Sequence, residues 1–293
     1  MAKDLSESGS HSAQYASAAR VLSTAAEALG DLRTTGRAAL ILAEAEQYLG
    51  QFDAAEEGAD RALREATVSR DTPVLCRASN LRGVVALYRN RHDDAETHLT
   101  HALEAFRADG DRPGEAGVLC NLSRVRLTQG DSSTALSLAE QAVAIYDQIG
   151  LSVRGADAHY TLGLALTQAG RLDEASAVLY KARDIFRSHR QRLWEGMTFF
   201  RLAEADLAAR RPRQAAAHAE QALTHIGVSG GQWRRGNILT VLGRALHAMD
   251  QTDRARICWQ EALTIFEDLD SAESQEVRDL LGDTVTSSSR KPG

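Results

Sequence analysis

Few residues in this chain stand at spacings that could do chemistry. Gly227-Val228-Ser229-Gly230-Gly231 spells the G-x-S-x-G pattern of a hydrolase nucleophile. That pattern works where the serine sits on a sharp turn between a strand and a helix, which exposes its hydroxyl. Here the flanking residues read as helix on both sides, so a loop between helical units is expected. His98 and His101 lie three apart, with His92 and Glu96 close by. On a helix, imidazoles at that spacing can share one metal ion. No obvious third ligand comes from elsewhere, so surface histidines are the expected reading. The patterns H-E-x-x-H, G-x-x-x-x-G-K-[ST] and C-x-x-C do not occur. Cys76, Cys120 and Cys258 are too few and too scattered for a disulfide framework or a closed zinc site. No enzymatic activity, metal or cofactor is expected.

The scaffold speaks more clearly than the chemistry. The chain has 293 residues and a formal charge of −6, from 34 Lys and Arg against 40 Asp and Glu. That sign argues against a nucleic-acid backbone or an anionic membrane as the main partner. With 25% charged and 43% apolar residues the composition is that of a folded protein, and four prolines with 5% aromatics point to helices. No apolar stretch has the length of a signal peptide or a membrane span. With free thiols, this leads to an expected cytoplasmic location.

A period of forty residues runs through the chain. Alanine stands at 55, 95, 135, 175, 215 and 255, and again seven residues later at 62, 102, 142, 182, 222 and 262. Small residues recur as Ala43, Gly83, Ser123, Gly163, Ala203 and Gly243, mostly after a leucine, and a large apolar position recurs as Phe106, Tyr146, Phe186, Ile226 and Phe266. Each unit reads as two helices. In the fourth, Leu162, Ala165 and Leu166 make one stripe, Gly170 stops the helix, and Ala175, Val178, Leu179, Ala182, Ile185 and Phe186 make the second stripe. Asp53, Asp93, Ser133, Asp173 and Asp253 are expected to cap the second helices, with Glu56 and Glu96 completing capping boxes. Arg213 replaces the cap in the fifth unit, where a weaker start is expected. Pro73 and Pro113 suit the first turn of the opening helices. The small positions let two helices approach closely, and no pair buries enough surface alone, so neighbours must stack.

Leu162-Gly163, Gly170-Arg171-Leu172-Asp173-Glu174-Ala175 and Ala182 resemble the tetratricopeptide repeat (TPR) family. The resemblance covers residues 36–270 as six units, and the long period resembles that of kinesin light chains, spindle-orientation adaptors and bacterial regulators with helical sensor domains. It implies an all-α solenoid, a right-handed superhelix of six helix-turn-helix units with flanking helices. Residues 1–11 are expected to be disordered, 12–35 to hold a leading helix, 271–283 a capping helix and 284–293 a disordered tail. Trp194 and Trp233 are expected to fill gaps between successive pairs, and Trp259 to lie in the core.

The resemblance also implies that the first helix of each pair lines the concave side. Read by spacing, that face offers Arg37 with Glu44 and Tyr48, then Arg77, Asn80 and Tyr88, then Asn121 and Arg124, then Asp157, Tyr160 and Thr161, then Arg201 with Glu204, and finally Asn237 and Arg244. Five arginines against three acids reverse the sign of the whole chain, which points to an acidic segment or a peptide carboxylate as ligand. The asparagines can donate to and accept from an extended peptide backbone. Chaperone-binding TPR domains grip a C-terminal carboxylate with Lys and Asn in three consecutive repeats. Asn121 matches the middle position, but Asn80, Val84, Asp157 and Thr161 depart from the pattern, so that clamp is not reproduced. The expected function is a protein- or peptide-binding scaffold, the sensing or interaction part of a bacterial regulatory system. Its peptide-binding residues are Arg37, Arg77, Asn80, Asn121, Arg124, Tyr160, Arg201, Asn237 and Arg244. Rival readings are a helical-repeat enzyme or biosynthetic auxiliary acting on a small molecule, and a peptide-sensing transcription regulator without its DNA-binding domain. Exposed solenoid ends also offer a route to a homo-oligomer.

Overall fold

The computed structural model describes residues 8–150, 152–226 and 231–288, and all fourteen elements among them are α-helices. The G-x-S-x-G segment lies largely outside the described residues. Two compact units divide the chain, one of residues 7–169 and one of 170–293, so the boundary falls inside the fourth repeat. The first unit holds α1 (Ser8–Leu29), α2 (Leu32–Tyr48), α3 (Phe52–Ser69), α4 (Thr72–Tyr88), α5 (His92–Asp109), α6 (Arg112–Thr128), α7 (Ser132–Ile149) and α8 (Ser152–Gln168). The second holds α9 (Leu172–Ser188), α10 (Arg192–Ala208), α11 (Pro212–Ile226), α12 (Gln232–His247), α13 (Thr252–Asp268) and α14 (Glu273–Ser288). The leading helix thus starts at Ser8 rather than 12, and the last helix runs on to Ser288 rather than stopping at 283.

The forty-residue period is the period of the core. All twelve periodic alanines have no measurable exposure, and Phe106, Tyr146, Phe186, Ile226 and Phe266 are buried beside them. The small positions work as close-approach sites. A Cβ added at Gly83 would stand 2.5 Å from Cγ of Leu99, and one at Gly243 would stand 2.3 Å from Nε1 of Trp259. Trp259 is 1% exposed and donates its indole N–H to the Thr240 carbonyl at 3.2 Å.

The turns carry a half-period of twenty. A residue with positive φ stands at every twentieth position from Gly30 to Arg210 and again at Asp250 and Asp270. Helices close there in the Schellman manner, for example by Arg91 N–H to Ala86 O at 2.9 Å and Gln251 N–H to Leu246 O at 3.0 Å. Glycine meets this demand at 110 and 130, whereas Arg190 and Arg210 adopt the same backbone at φ 55° and 57° against their intrinsic preference.

The second-helix caps differ from expectation. The helices begin two residues earlier, so Gln51, Arg91, Arg171 and Gln251 occupy the cap, and Asp53, Asp93, Asp173 and Asp253 fall within the first turn. There a carboxylate still meets the positive end of the helix dipole. Glu56 and Glu96 turn to Arg91 and Arg126 on neighbouring helices instead of closing capping boxes. In α7 the cap is Asp131 rather than Ser133, accepting from Thr134 N–H at 3.1 Å. α11 begins with Pro212.

Candidate functional site: a polar ladder on the first helices

In the first unit, α2 meets α4, α4 meets α6 and α6 meets α8, while α3, α5 and α7 pack on the first helices on either side. The first helices therefore form the inner side of this unit. In the second unit α10 and α12 meet in the same way.

Three of the expected ligand residues join into one hydrogen-bonded ladder across α4, α6 and α8. Asn121 Nδ2 donates to Asn80 Oδ1 at 3.0 Å, and Arg124 Nη1 donates to Asn121 Oδ1 at 3.1 Å. Arg124 Nη2 then donates to Asp157 Oδ1 and, at 2.9 Å, to Thr161 Oγ1. Asn80, Asn121 and Arg124 are half-buried, so the ladder reaches solvent along one edge. Burial works against the Arg124 charge, but Asp157 together with Cys120, Tyr88 and Tyr160 outweighs it and holds the guanidinium above its ordinary pKa. The neighbouring Cys120 thiol is pushed up to about 12 by burial, with Asp157 adding to the shift, so this cysteine is an inert core group.

Tyr160, expected on the groove, is only 4% exposed and belongs to the core beneath it. Arg37 and Arg77 sit on α2 and α4 away from the ladder. Arg37 Nε donates to Asp71 at 2.7 Å, and Arg77 Nη2 donates to both Glu44 oxygens at 2.7 Å. Tyr88 is 60% exposed and stacks on Phe52 with ring centroids 5.3 Å apart.

In the second unit the candidates make separate contacts. Arg201 pairs with Glu204 at 2.8 Å and lies 4.8 Å from the Phe200 ring centroid. Asn237 Nδ2 donates to the Trp233 carbonyl one turn back at 2.9 Å. Arg244 pairs with Glu276. Trp233 does not fill a gap: it is 49% exposed, and its indole N–H donates to Glu273 at 2.9 Å. Trp194 stacks on Phe186 between α9 and α10, at 5.8 Å between centroids.

The positive sign read from the sequence does not survive. Asp71 and Glu276, both missed by spacing, complete a carboxylate partner for each of the five arginines. Asp71 escaped notice because it stands at the N-terminal boundary of α4, where it reads as a cap; 2% exposed, it makes no cap bond and takes Arg37 instead. His98 is half-buried rather than at the surface, and burial together with Arg82 lowers its pKa. Among the described residues no group of three or more His, Cys, Asp or Glu side chains is placed to hold a metal ion, and no helix is long and apolar enough to cross a membrane.

Helix pairs sealed by periodic alanines, with a polar inner row on the first helices, define a helical-repeat protein. Models of the tetratricopeptide repeat match residues 34–108, 74–148 and 156–189, successive matches in the first unit being offset by one period. The chain belongs to the tetratricopeptide repeat family. It is 53% identical over 278 residues to a protein named Regulatory protein AfsR from Streptomyces griseus, covering 95% of this chain and 27% of that one. A protein of the same name from Streptomyces coelicolor is 46% identical over 284 residues, covering 97% of this chain and 28% of the relative. The chain thus spans about a quarter of the length of these relatives. Among solved structures, a Rap protein complexed with competence and sporulation factor superposes with a TM-score of 0.69 at 14% identity, covering 83% of this chain and 68% of that one. That likeness establishes the helical-repeat solenoid fold.

Proposed function

We propose that this chain is the sensing or interaction module of a cytoplasmic bacterial regulator, and that it binds an extended protein or peptide segment along the inner face of α4, α6 and α8. The observation that carries the reading is the Asn80–Asn121–Arg124 ladder. A carboxamide presents a donor and an acceptor side by side, which matches the N–H and C=O of an extended main chain. The ladder is satisfied internally, so a ligand exchanges hydrogen bonds rather than finding bare groups. An acidic side chain on the ligand takes its place at Arg124 by displacing Asp157. The two relatives named as regulatory proteins support the regulatory part of the reading.

The test selects binders from a displayed random peptide library on the intact chain and measures them by calorimetry. Two net hydrogen bonds at about 0.5–1.5 kcal/mol each predict that N80A with N121A weakens binding by roughly 5- to 140-fold. Circular dichroism is expected to stay unchanged. Affinity that is untouched by the double variant removes this face from the function.

A further inference from the structure

Where the fourth and fifth repeats meet, polar and aromatic groups gather in one place. Position 183 is arginine where the other repeats carry Leu63, Leu103, Val143, Leu223 and Leu263. Position 206 is aspartate where Glu46, Ala86, Arg126, Leu166 and Leu246 stand, and position 218 is histidine where Gly58, His98, Leu138, Val178 and Cys258 stand. These groups converge in the second unit. Asp206, 3% exposed, receives His218 Nδ1 at 2.7 Å. On the other side of the ring, His218 Nε2 lies 3.1 Å from the hydroxyl of Tyr180, which is 37% exposed. The Phe199 ring lies against the imidazole at 5.9 Å between centroids, and the Arg183 guanidinium lies 4.8 Å from the Tyr180 ring centroid.

We propose that Tyr180 is an activated phenol, a modification site for electrophilic acyl donors, with His218 as its base and Asp206 as a positioning residue. The order is that of a nucleophile, a base within hydrogen-bond reach and a buried carboxylate that orients the base. With the Nδ1 hydrogen given to Asp206, Nε2 is the acceptor for the phenol proton. Attack forms a bond from the Tyr180 oxygen to the acyl carbon and breaks the bond from that carbon to its leaving group. His218 takes the phenol proton and returns it to the departing group, and no oxidation state changes. Arg183 over the ring is itself paired with Asp184 at 2.6 Å, and the step does not need its charge.

N-acetylimidazole supplies the test, with imidazole as leaving group and acetylated peptides read by mass spectrometry on the intact chain. Tyr88 is the internal control, since at 60% exposure it is more accessible than Tyr180 and stacks on Phe52 instead of a histidine. Acetylation of Tyr180 is expected to run at least about 10-fold faster than that of Tyr88, a threshold set below the roughly 100-fold at which general-base assistance usually begins, since Tyr180 is the less exposed. H218Q and D206N should bring it down toward the Tyr88 rate. Base assistance also predicts that the Tyr180 rate follows a pH profile different in shape from that of Tyr88. Should D206N fail to fold, the wild-type rate ratio, the two pH profiles and H218Q decide by themselves. A Tyr180 rate no higher than that of Tyr88, an H218Q chain as reactive as the wild type, or parallel pH profiles would each overturn the proposal.

Discussion

The same substitution, Gly→Ala, should have opposite effects at two helical positions. Gly243 lies inside α12, where a Cβ would stand 2.3, 2.6 and 2.8 Å from Nε1, Cδ1 and Cε2 of Trp259. Gly117 lies inside α6, where the nearest atom to a new Cβ is Tyr146 Oη at 3.5 Å, an ordinary contact. Removing the backbone freedom of glycine stabilises a helix by roughly 0.5–1 kcal/mol at either site. At Gly117 nothing opposes that gain. At Gly243 the indole must move, and forcing extra volume into a packed core costs about 1–3 kcal/mol. The displaced indole also loses its bond to Thr240 O, a further roughly 0.5–1.5 kcal/mol. The balance predicts that G117A gains about 0.5–1 kcal/mol and that G243A loses about 0.5–4 kcal/mol. Urea unfolding followed by far-ultraviolet circular dichroism measures both, and tryptophan fluorescence reports the Trp259 environment in G243A. Stabilisation by both substitutions would refute the reasoning that the small positions are set by helix approach.

Two further outcomes follow from side chains on the page. The Arg124–Asp157 pair has side chains 27% and 36% exposed, between the surface and buried limits. A double-mutant cycle with R124M and D157N should therefore give a coupling of about 1 kcal/mol that shrinks as salt is raised; zero coupling at low salt contradicts the ladder. Asp131 is held down to about 2 by its bonds to the Thr134 side chain and N–H and to the Ser133 hydroxyl. Because the folded value lies below the unfolded one, its stabilising effect is full above about pH 4 and is lost as the pH falls toward 2. D131A should lack that part of the acid dependence in a pH series of thermal melts.

The repeat was legible because it is written in residue types that have few other uses at fixed spacing. Alanine at 55 and 62 and their equivalents is forced by helix approach, and a glycine at 83 or 243 by the side chain that passes over it. The caps were less legible. An aspartate at the cap and one in the first turn look alike in sequence, and only the backbone separates Asp131 from Asp173. The site was legible in its donors and not in its acceptors. Asn80, Asn121 and Arg124 share a face by helical spacing. Asp71 and Glu276, by contrast, reach their arginines from the cap of α4 and from α14, two helices further on and 34 and 32 residues along the chain. Tyr160 was misplaced because a tyrosine can turn its ring inward from a position that spacing assigns to the face. The Tyr180–His218–Asp206 relay was not visible in register, because equivalent positions already carry polar residues such as Glu220, His98 and Glu46, and a search for local motifs passes over groups 26 and 12 residues apart in the chain.

The central claim is that the inner row of the first unit grips an extended main chain. Titrating a library-selected peptide into the isotope-labelled chain and following the side-chain amide resonances of Asn80 and Asn121 tests it most directly. The account predicts that both carboxamides shift with a common dissociation constant, together with the Arg124 guanidinium, because all three trade partners at once. Saturable peptide binding that leaves both carboxamides where they were would contradict it.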